Sequence, residues 1–149
     1  MPLSSRVSRI AAILAAASSV SIAGKAVLIS GRSGFGKSDL ALRLIDRGAI
    51  LISDDYTIVQ RRDGRLHATA PGNIRGQIEV RGIGIVPMET VESAPVHLIV
   101  VVDEPVERMP DGPRVQRLAG INVPVVALPA LESSAPVKVE VALKALEGR

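Results

Sequence analysis

Short apolar runs, each stopped by glycine or by a charged pair, set the rhythm of this chain. Val27 to Ser30 is one such run, ends at Gly31 and reads as a buried strand. From Lys37 to Arg47, apolar Leu40, Ala41, Leu44 and Ile45 recur at helical spacing. Gly48 follows, which suits a left-handed helix end. Ala49 to Ser53 is a second apolar run and stops at Asp54-Asp55. The first half therefore predicts strand, loop, helix, strand, the opening of a phosphate-loop domain.

Farther along, Thr57 to Gln60 and Leu66 to Thr69 flank Arg62-Asp63-Gly64, a hairpin signal. Pro71-Gly72-Asn73 marks a loop. Ile78 to Val86 mixes apolar residues with Gly82 and Gly84 and predicts a strand-like segment whose backbone is open to close approach. Val96 to Val102 reads as a strong buried strand, Pro105 to Pro113 as a loop, and Val123 to Leu128 as another strand. Ser133-Ser134-Ala135-Pro136 predicts a helix start, with serine as cap and proline in the first turn. Val137, Val141, Leu143 and Leu146 are expected to form that helix's apolar face. No internal repeat or linker divides the sequence, so residues 1–149 are expected to form one domain. The alternation of aliphatic runs with helical stretches predicts an α/β fold, a mixed central sheet with flanking helices.

Composition sharpens this. Hydrophobic residues make up 47% of the chain and aromatics only 1%, so the core has to be aliphatic. So few aromatics also argue against a nucleic-acid module that stacks bases on Phe, Tyr or Trp. The net charge of +3 is mild and scattered, with no polybasic tail. Cysteine is absent, which excludes disulfides, thiolate zinc sites and a catalytic thiol. Near the start, Arg6 and Arg9 precede the apolar run Ile10 to Ala17. This resembles a short signal peptide, but it is too short to span a bilayer. We read it as a helix or strand leading into a cytoplasmic protein with no membrane partner.

Chemistry concentrates in three segments. Gly31-Arg32-Ser33-Gly34-Phe35-Gly36-Lys37-Ser38 satisfies the phosphate-loop pattern. Its glycines let successive backbone N–H groups wrap phosphates, and the following helix adds the positive end of its dipole. Lys37 supplies a point charge for the β- and γ-phosphates, and the Ser38 hydroxyl is a donor for Mg²⁺. Asp54 and Asp55 end a strand where α/β sheets face their ligands, and can hold a metal or take a proton. Glu79-Val-Arg81-Gly82-Ile-Gly84 offers a further metal ligand in Glu79 and a phosphate-neutralising cation in Arg81. His67 and His97 are isolated and lack metal-ligand spacing.

The order of these three segments resembles the HPr kinase/phosphorylase family. Leu51-Ile-Ser-Asp-Asp55 is similar to that family's Leu-Val-Ala-Asp-Asp, and Glu79-Val-Arg-Gly-Ile-Gly-Ile85 to its signature. The resemblance is carried by residues from about 20 to 110 and is weaker beyond them. It implies an ATP- and Mg²⁺-dependent kinase that phosphorylates a serine of HPr, the phosphocarrier of the sugar phosphotransferase system, or of its nitrogen-branch relative. It also implies a homo-oligomer. By it, Asp55 is the general base, assisted by Asp54. Lys37 binds phosphate, Ser38 and Glu79 hold Mg²⁺, and Arg81 and Arg108 are active-site arginines. The chain looks like the family's short form, the C-terminal catalytic domain without the separate N-terminal domain of the long members, and it departs from the family in three further places. Ala16 stands where the family has a histidine. Pro129 to Pro136 lacks the arginine of a segment tied to dephosphorylation. The C-terminal helix that helps assemble hexamers is shortened. A small-molecule kinase and a nucleotide-sensing module without transfer activity are the competing readings.

Overall fold

Among residues 12–147, the part of the chain that this computed structural model describes, eleven strands and two α-helices form. In order they are β1 (Ala12–Ala15), β2 (Ala17–Ile22), β3 (Lys25–Ser30), α1 (Lys37–Asp46), β4 (Ile50–Ser53), β5 (Thr57–Arg62), β6 (Arg65–Thr69), β7 (Gln77–Val80), β8 (Gly84–Pro87), β9 (Ser93–Val101), β10 (Val115–Leu118), β11 (Ile121–Ala127) and α2 (Ala135–Glu147). The large sheet runs β1-β5-β6-β9-β3-β2-β4, with β11 also on β9 and β10 on β11. This is the α/β class expected from the sequence. No helix among the described residues is long and apolar enough to cross a membrane.

Period-two alternation gives each central strand two buried faces. In β3, Val27 and Ile29 face one core and Ala26 and Leu28 the other; in β9, Leu98 and Val100 oppose Ile99 and Val101. The first core takes Leu40, Ala41 and Leu44 of α1 together with Val139 and Leu143 of α2, so both helices share one side. The other core contains Val59, Leu66 and Ala68 from β5 and β6, where the sheet curls back over itself. β9 makes this possible by serving several partners. Its first residues pair with β6, and Ile99–Val101 pair with both β3 and β11.

The strand before the phosphate loop and the strand carrying the aspartates are not neighbours. β2 lies between them, antiparallel to both. This strand was not foreseen, because Ala17-Ser-Ser-Val-Ser-Ile22 carries three serines and no clean alternation; all of its residues but Ile22 are nonetheless buried. Residues 1–11, which include the first two of the expected run Ile10 to Ala17, lie outside the described part; from Ala12 to Ala15 the run is strand, and Ala17 begins the next. Three two-residue hairpin turns follow one pattern, with positive φ at Ala23 (52°), Asp63 (53°) and Ala119 (46°), each before glycine. Only Asp63-Gly64 carried a recognised signal, since alanine seldom adopts this conformation.

Two expectations need correction. Ile78 to Val86 is a separate hairpin, β7 paired with β8, and not one strand. The apolar face of α2 is also different. Pro136, Val139 and Leu143 are buried with Leu146 partly so, while Val137 and Val141 are exposed. At about 100° per residue the first four fall within about 80° of arc, whereas Val137 and Val141 lie about 100–140° from Pro136. Leu143 and Val141 can never share a stripe. On the surface, Arg47, at the C-cap of α1, forks onto Glu140 of α2, with Nη2 to Oε1 at 2.7 Å.

Candidate active site

The parallel strands β3, β4 and β9 end at one rim of the sheet, where antiparallel β2 begins. The loop Gly31–Gly36 leaves β3 there and enters α1 at Lys37. Gly36 sits in the left-handed region (φ 90°, ψ 22°), and its carbonyl accepts the first helical bond from Leu40 N–H at 2.9 Å. A Cβ at Gly36 would lie 2.9 Å from Leu131 Cδ2 and 3.3 Å from Ala130 Cβ, so backbone shape and packing both favour glycine. Arg32 anchors the loop's outer edge to the end of β9. Its backbone N–H and its Nε donate to Asp103 Oδ2 at 2.9 and 3.0 Å, and its guanidinium lies 4.8 Å from the Phe35 ring centre. The Arg32 backbone N–H is the main cause that holds the Asp103 carboxyl below its ordinary range.

Asp54 is the hub. It is buried just past β4, and its carboxylate accepts three bonds. Ser38 Oγ donates to Oδ1 at 2.6 Å, Ser18 Oγ donates to the same oxygen at 3.0 Å, and the Glu79 backbone N–H donates to Oδ2 at 2.9 Å. Asp54 therefore joins the phosphate loop, β2 and the β7–β8 hairpin.

Asp55 differs in every respect. It is 56% exposed, against 8% for Lys37, whose Nζ stands 3.5 Å from Asp55 Oδ1. Asp55 has φ 67°, and Tyr56 N–H bonds back to Asp54 C=O at 2.7 Å. That is a γ-turn of the rare positive-φ kind, a strained backbone that aims the carboxylate at the loop's lysine. The turn's own N–H, on Asp55, donates to Ser18 Oγ at 3.0 Å.

The structure thus brings together Lys37, Ser38, Asp54 and Asp55, with Glu79 joined through its backbone. The Glu79 side chain is exposed. Arg81 is exposed in the turn between β7 and β8. Arg108 is not brought to this group. It lines a separate cleft of about 1010 Å³ between the 104–115 segment, β11 and α2. A smaller cleft of about 360 Å³ beside the loop is lined by Ala16, Ser30, Gly31, Arg32, Asp103 and Glu104. Ser18 escaped the sequence reading. Its signal was weak: a serine-rich stretch made a strand only by the Ala23-Gly24 turn behind it.

Among the described residues, no three acidic or histidine side chains converge as a metal cage. Mg²⁺ needs none. It keeps several waters and takes one or two protein oxygens plus substrate phosphates. Ser38 Oγ and Asp54 Oδ1, two hard oxygens 2.6 Å apart beside the phosphate loop, fit that demand.

Known proteins resemble this chain in sequence and fold. A family model described as HPr Serine kinase C-terminal domain matches residues 10–147, beyond the region where the sequence resemblance was strongest. HPr kinase/phosphorylase of Limosilactobacillus reuteri (strain DSM 20016) is 39% identical over 123 residues, 74% of this chain and 38% of that protein. The namesake from Clostridium botulinum (strain Eklund 17B / Type B) is 48% identical over 67 residues, 45% of this chain and 22% of that protein. The chain thus spans less than two fifths of these relatives. The solved Hpr(Ser) kinase/phosphatase from Coxiella burnetii superposes with a TM-score of 0.79 at 29% identity, covering 91% of this chain and 90% of that one.

Proposed function

The chain belongs to the HPr serine kinase family by its C-terminal domain, and from that premise we propose that it is an ATP- and Mg²⁺-dependent kinase. Its substrate is a serine of HPr or of the nitrogen-branch HPr. One observation carries the reading: an exposed carboxylate, Asp55, held by a strained turn 3.5 Å from the buried ammonium of the phosphate loop. Lys37 and the loop's N–H groups hold the phosphates. The acceptor serine oxygen attacks the γ-phosphorus, the bond to the bridging oxygen breaks, ADP leaves, and the serine proton passes to Asp55. A carboxylate is a weak base for a free hydroxyl, but it accepts the proton as the bond to phosphorus forms. Ser38 and Asp54, with Glu79 near, would hold Mg²⁺, which when bound would neutralise charge on the phosphates. Arg81 on the hairpin adds positive charge to the same rim; Arg108 would need the 104–115 segment to move. The reverse reaction, phosphorolysis of the phosphoserine, would use the same carboxylate as acid.

Exposure favours a protein acceptor over a small molecule. Asp55 lies open at the rim, and three segments that meet there carry exposed apolar side chains: Phe35, Tyr56, and Ile83 with Ile85. A small-molecule kinase would instead enclose its substrate in a pocket. The test is transfer from labelled ATP and Mg²⁺ to purified HPr, beside HPr whose acceptor serine is alanine. Label on the normal protein alone is the expected result. Absence of label with ATP binding intact would sink the proposal.

A further inference from the structure

We infer that Ser18 is a positioning residue for phosphoryl transfer, its one hydroxyl fixing the Asp54 carboxylate and the Asp55 backbone together. This rests on the reading of Asp55 as the proton acceptor.

Ser18 is fully buried on β2, opposite Ile29 of β3, one residue before the phosphate loop's strand ends. It lies on the same face of β2 as Val20, the face toward α1. From there Oγ uses both of its bonding capacities. It donates to Asp54 Oδ1 at 3.0 Å and accepts the Asp55 N–H at 3.0 Å. The second bond falls on the residue whose backbone is strained, with φ 67°. A strained turn persists only where its surroundings over-determine it. Here the determinants are the Tyr56 N–H bond to Asp54 C=O within the turn and the Ser18 bond from outside it.

The first bond matters for a different reason. Asp54 Oδ1 is shared by Ser18 and Ser38. Ser38 is a metal donor by the reading above, and it can offer a lone pair to a metal while its O–H still donates to Asp54. Ser18, with no ligand to serve, is a second hold on the same oxygen and ties it to the Asp55 backbone. Ser18 is fully buried, so removal of its hydroxyl takes away the Asp55 N–H's protein partner.

Ser19 is a built-in control. It is equally buried on the opposite face of the same strand, with Oγ 2.8 Å from Thr57 Oγ1, and it touches neither aspartate. Ser18→Ala, Ser18→Thr, Ser19→Ala and Asp55→Asn should be compared for transfer to HPr, ATP KM, and amide hydrogen exchange at Asp55. Misplacement of a reacting group by about 1 Å costs on the order of 100-fold. Ser18→Ala should therefore lower kcat by about 10- to 100-fold with ATP KM little changed. It should also speed Asp55 amide exchange by about tenfold or more. Ser18→Thr keeps the hydroxyl and should recover most of both; Ser19→Ala should change neither. Unchanged exchange at Asp55 in Ser18→Ala, or an equal loss of kcat in Ser19→Ala, would overturn the inference. Normal transfer by Ser18→Ala while Asp55→Asn is dead would sink the inference alone. Normal transfer by Asp55→Asn would sink the reading of Asp55, and the role given to Ser18 with it.

Discussion

Alanine at Gly36 and at Gly34 separates two costs that the phosphate loop imposes. Both positions have left-handed backbone, φ 90° and 89°. A Cβ at Gly34 meets nothing within 4 Å, whereas at Gly36 it meets Leu131 and Ala130. Left-handed backbone costs an L-residue about 1–2 kcal/mol, partly offset because alanine leaves the unfolded chain less freedom to lose. Gly34→Ala should therefore destabilise by about 1 kcal/mol. Gly36→Ala adds overpacking. Leu131 is exposed and can swing aside, but Ala130 is buried and must yield, so the addition belongs near the low end of the usual range, about 1 kcal/mol. For a domain of this size each kcal/mol moves Tm by about 2–4 °C. The expected drops are about 2–4 °C for Gly34→Ala and about 4–8 °C for Gly36→Ala, read by thermal melts without nucleotide. Leu131→Ala in the Gly36→Ala background should recover less than half of the packing part. Equal drops in the two single variants would refute the packing argument, and no drop in either would refute the backbone argument.

The remaining expectations concern charge, metal, packing and pH. Asp55→Asn keeps a residue that tolerates left-handed backbone, so ATP binding and Tm should hold while transfer falls by about 10²- to 10⁴-fold; retained turnover would remove Asp55 as the base. Glu79→Gln should raise the Mg²⁺ concentration for half-maximal rate by about tenfold, and an unchanged metal titration would exclude Glu79 from the site. Val139→Ala, at a fully buried position, should cost about 2 kcal/mol in urea unfolding. Val141→Ala, 62% exposed, should stay within about 0.5 kcal/mol; the reverse order would mean that α2 is rotated. His97 has its pKa lowered from 6.5, chiefly by burial, then by Lys25 and Arg65. The unfolded chain takes this proton first, so stability should fall as pH drops through that value. Melts between about pH 5 and 8 should show a shallower acid limb in His97→Gln; identical limbs would refute it.

Much of the site was legible because its determinants are local. A phosphate loop is a run of backbone N–H groups whose glycines, lysine and serine must be adjacent, so Gly31 to Ser38 declares itself in one line. The aspartates were legible because a strand's end is visible as the end of an apolar run. The partition of labour between them was not. Asp54 is buried and Asp55 exposed because of what lies around them: one serine, Ser18, 36 positions before Asp54 and 37 before Asp55, and the hairpin N–H at Glu79.

The α2 face shows how an apolar list can mislead when helical phase is not worked out. Val141 and Leu143 are both hydrophobic, but only Leu143 points at the sheet. β2 shows a deeper limit. Its serines read as polar, yet the strand is internal and buried, because the hydroxyls of Ser18 and Ser19 are bonded to Asp54, Thr57 and the turn at Asp55, which removes the cost of burying them. The sequence by itself determined the α/β class, the phosphate loop and the pair of acids, all properties of short stretches of chain. Only the tertiary structure decided that β2 separates β3 from β4, that the sheet curls over its own second core, and that Ser18 reaches both aspartates. Those depend on contacts between residues distant in sequence, whose pairing is set by packing and not by neighbours.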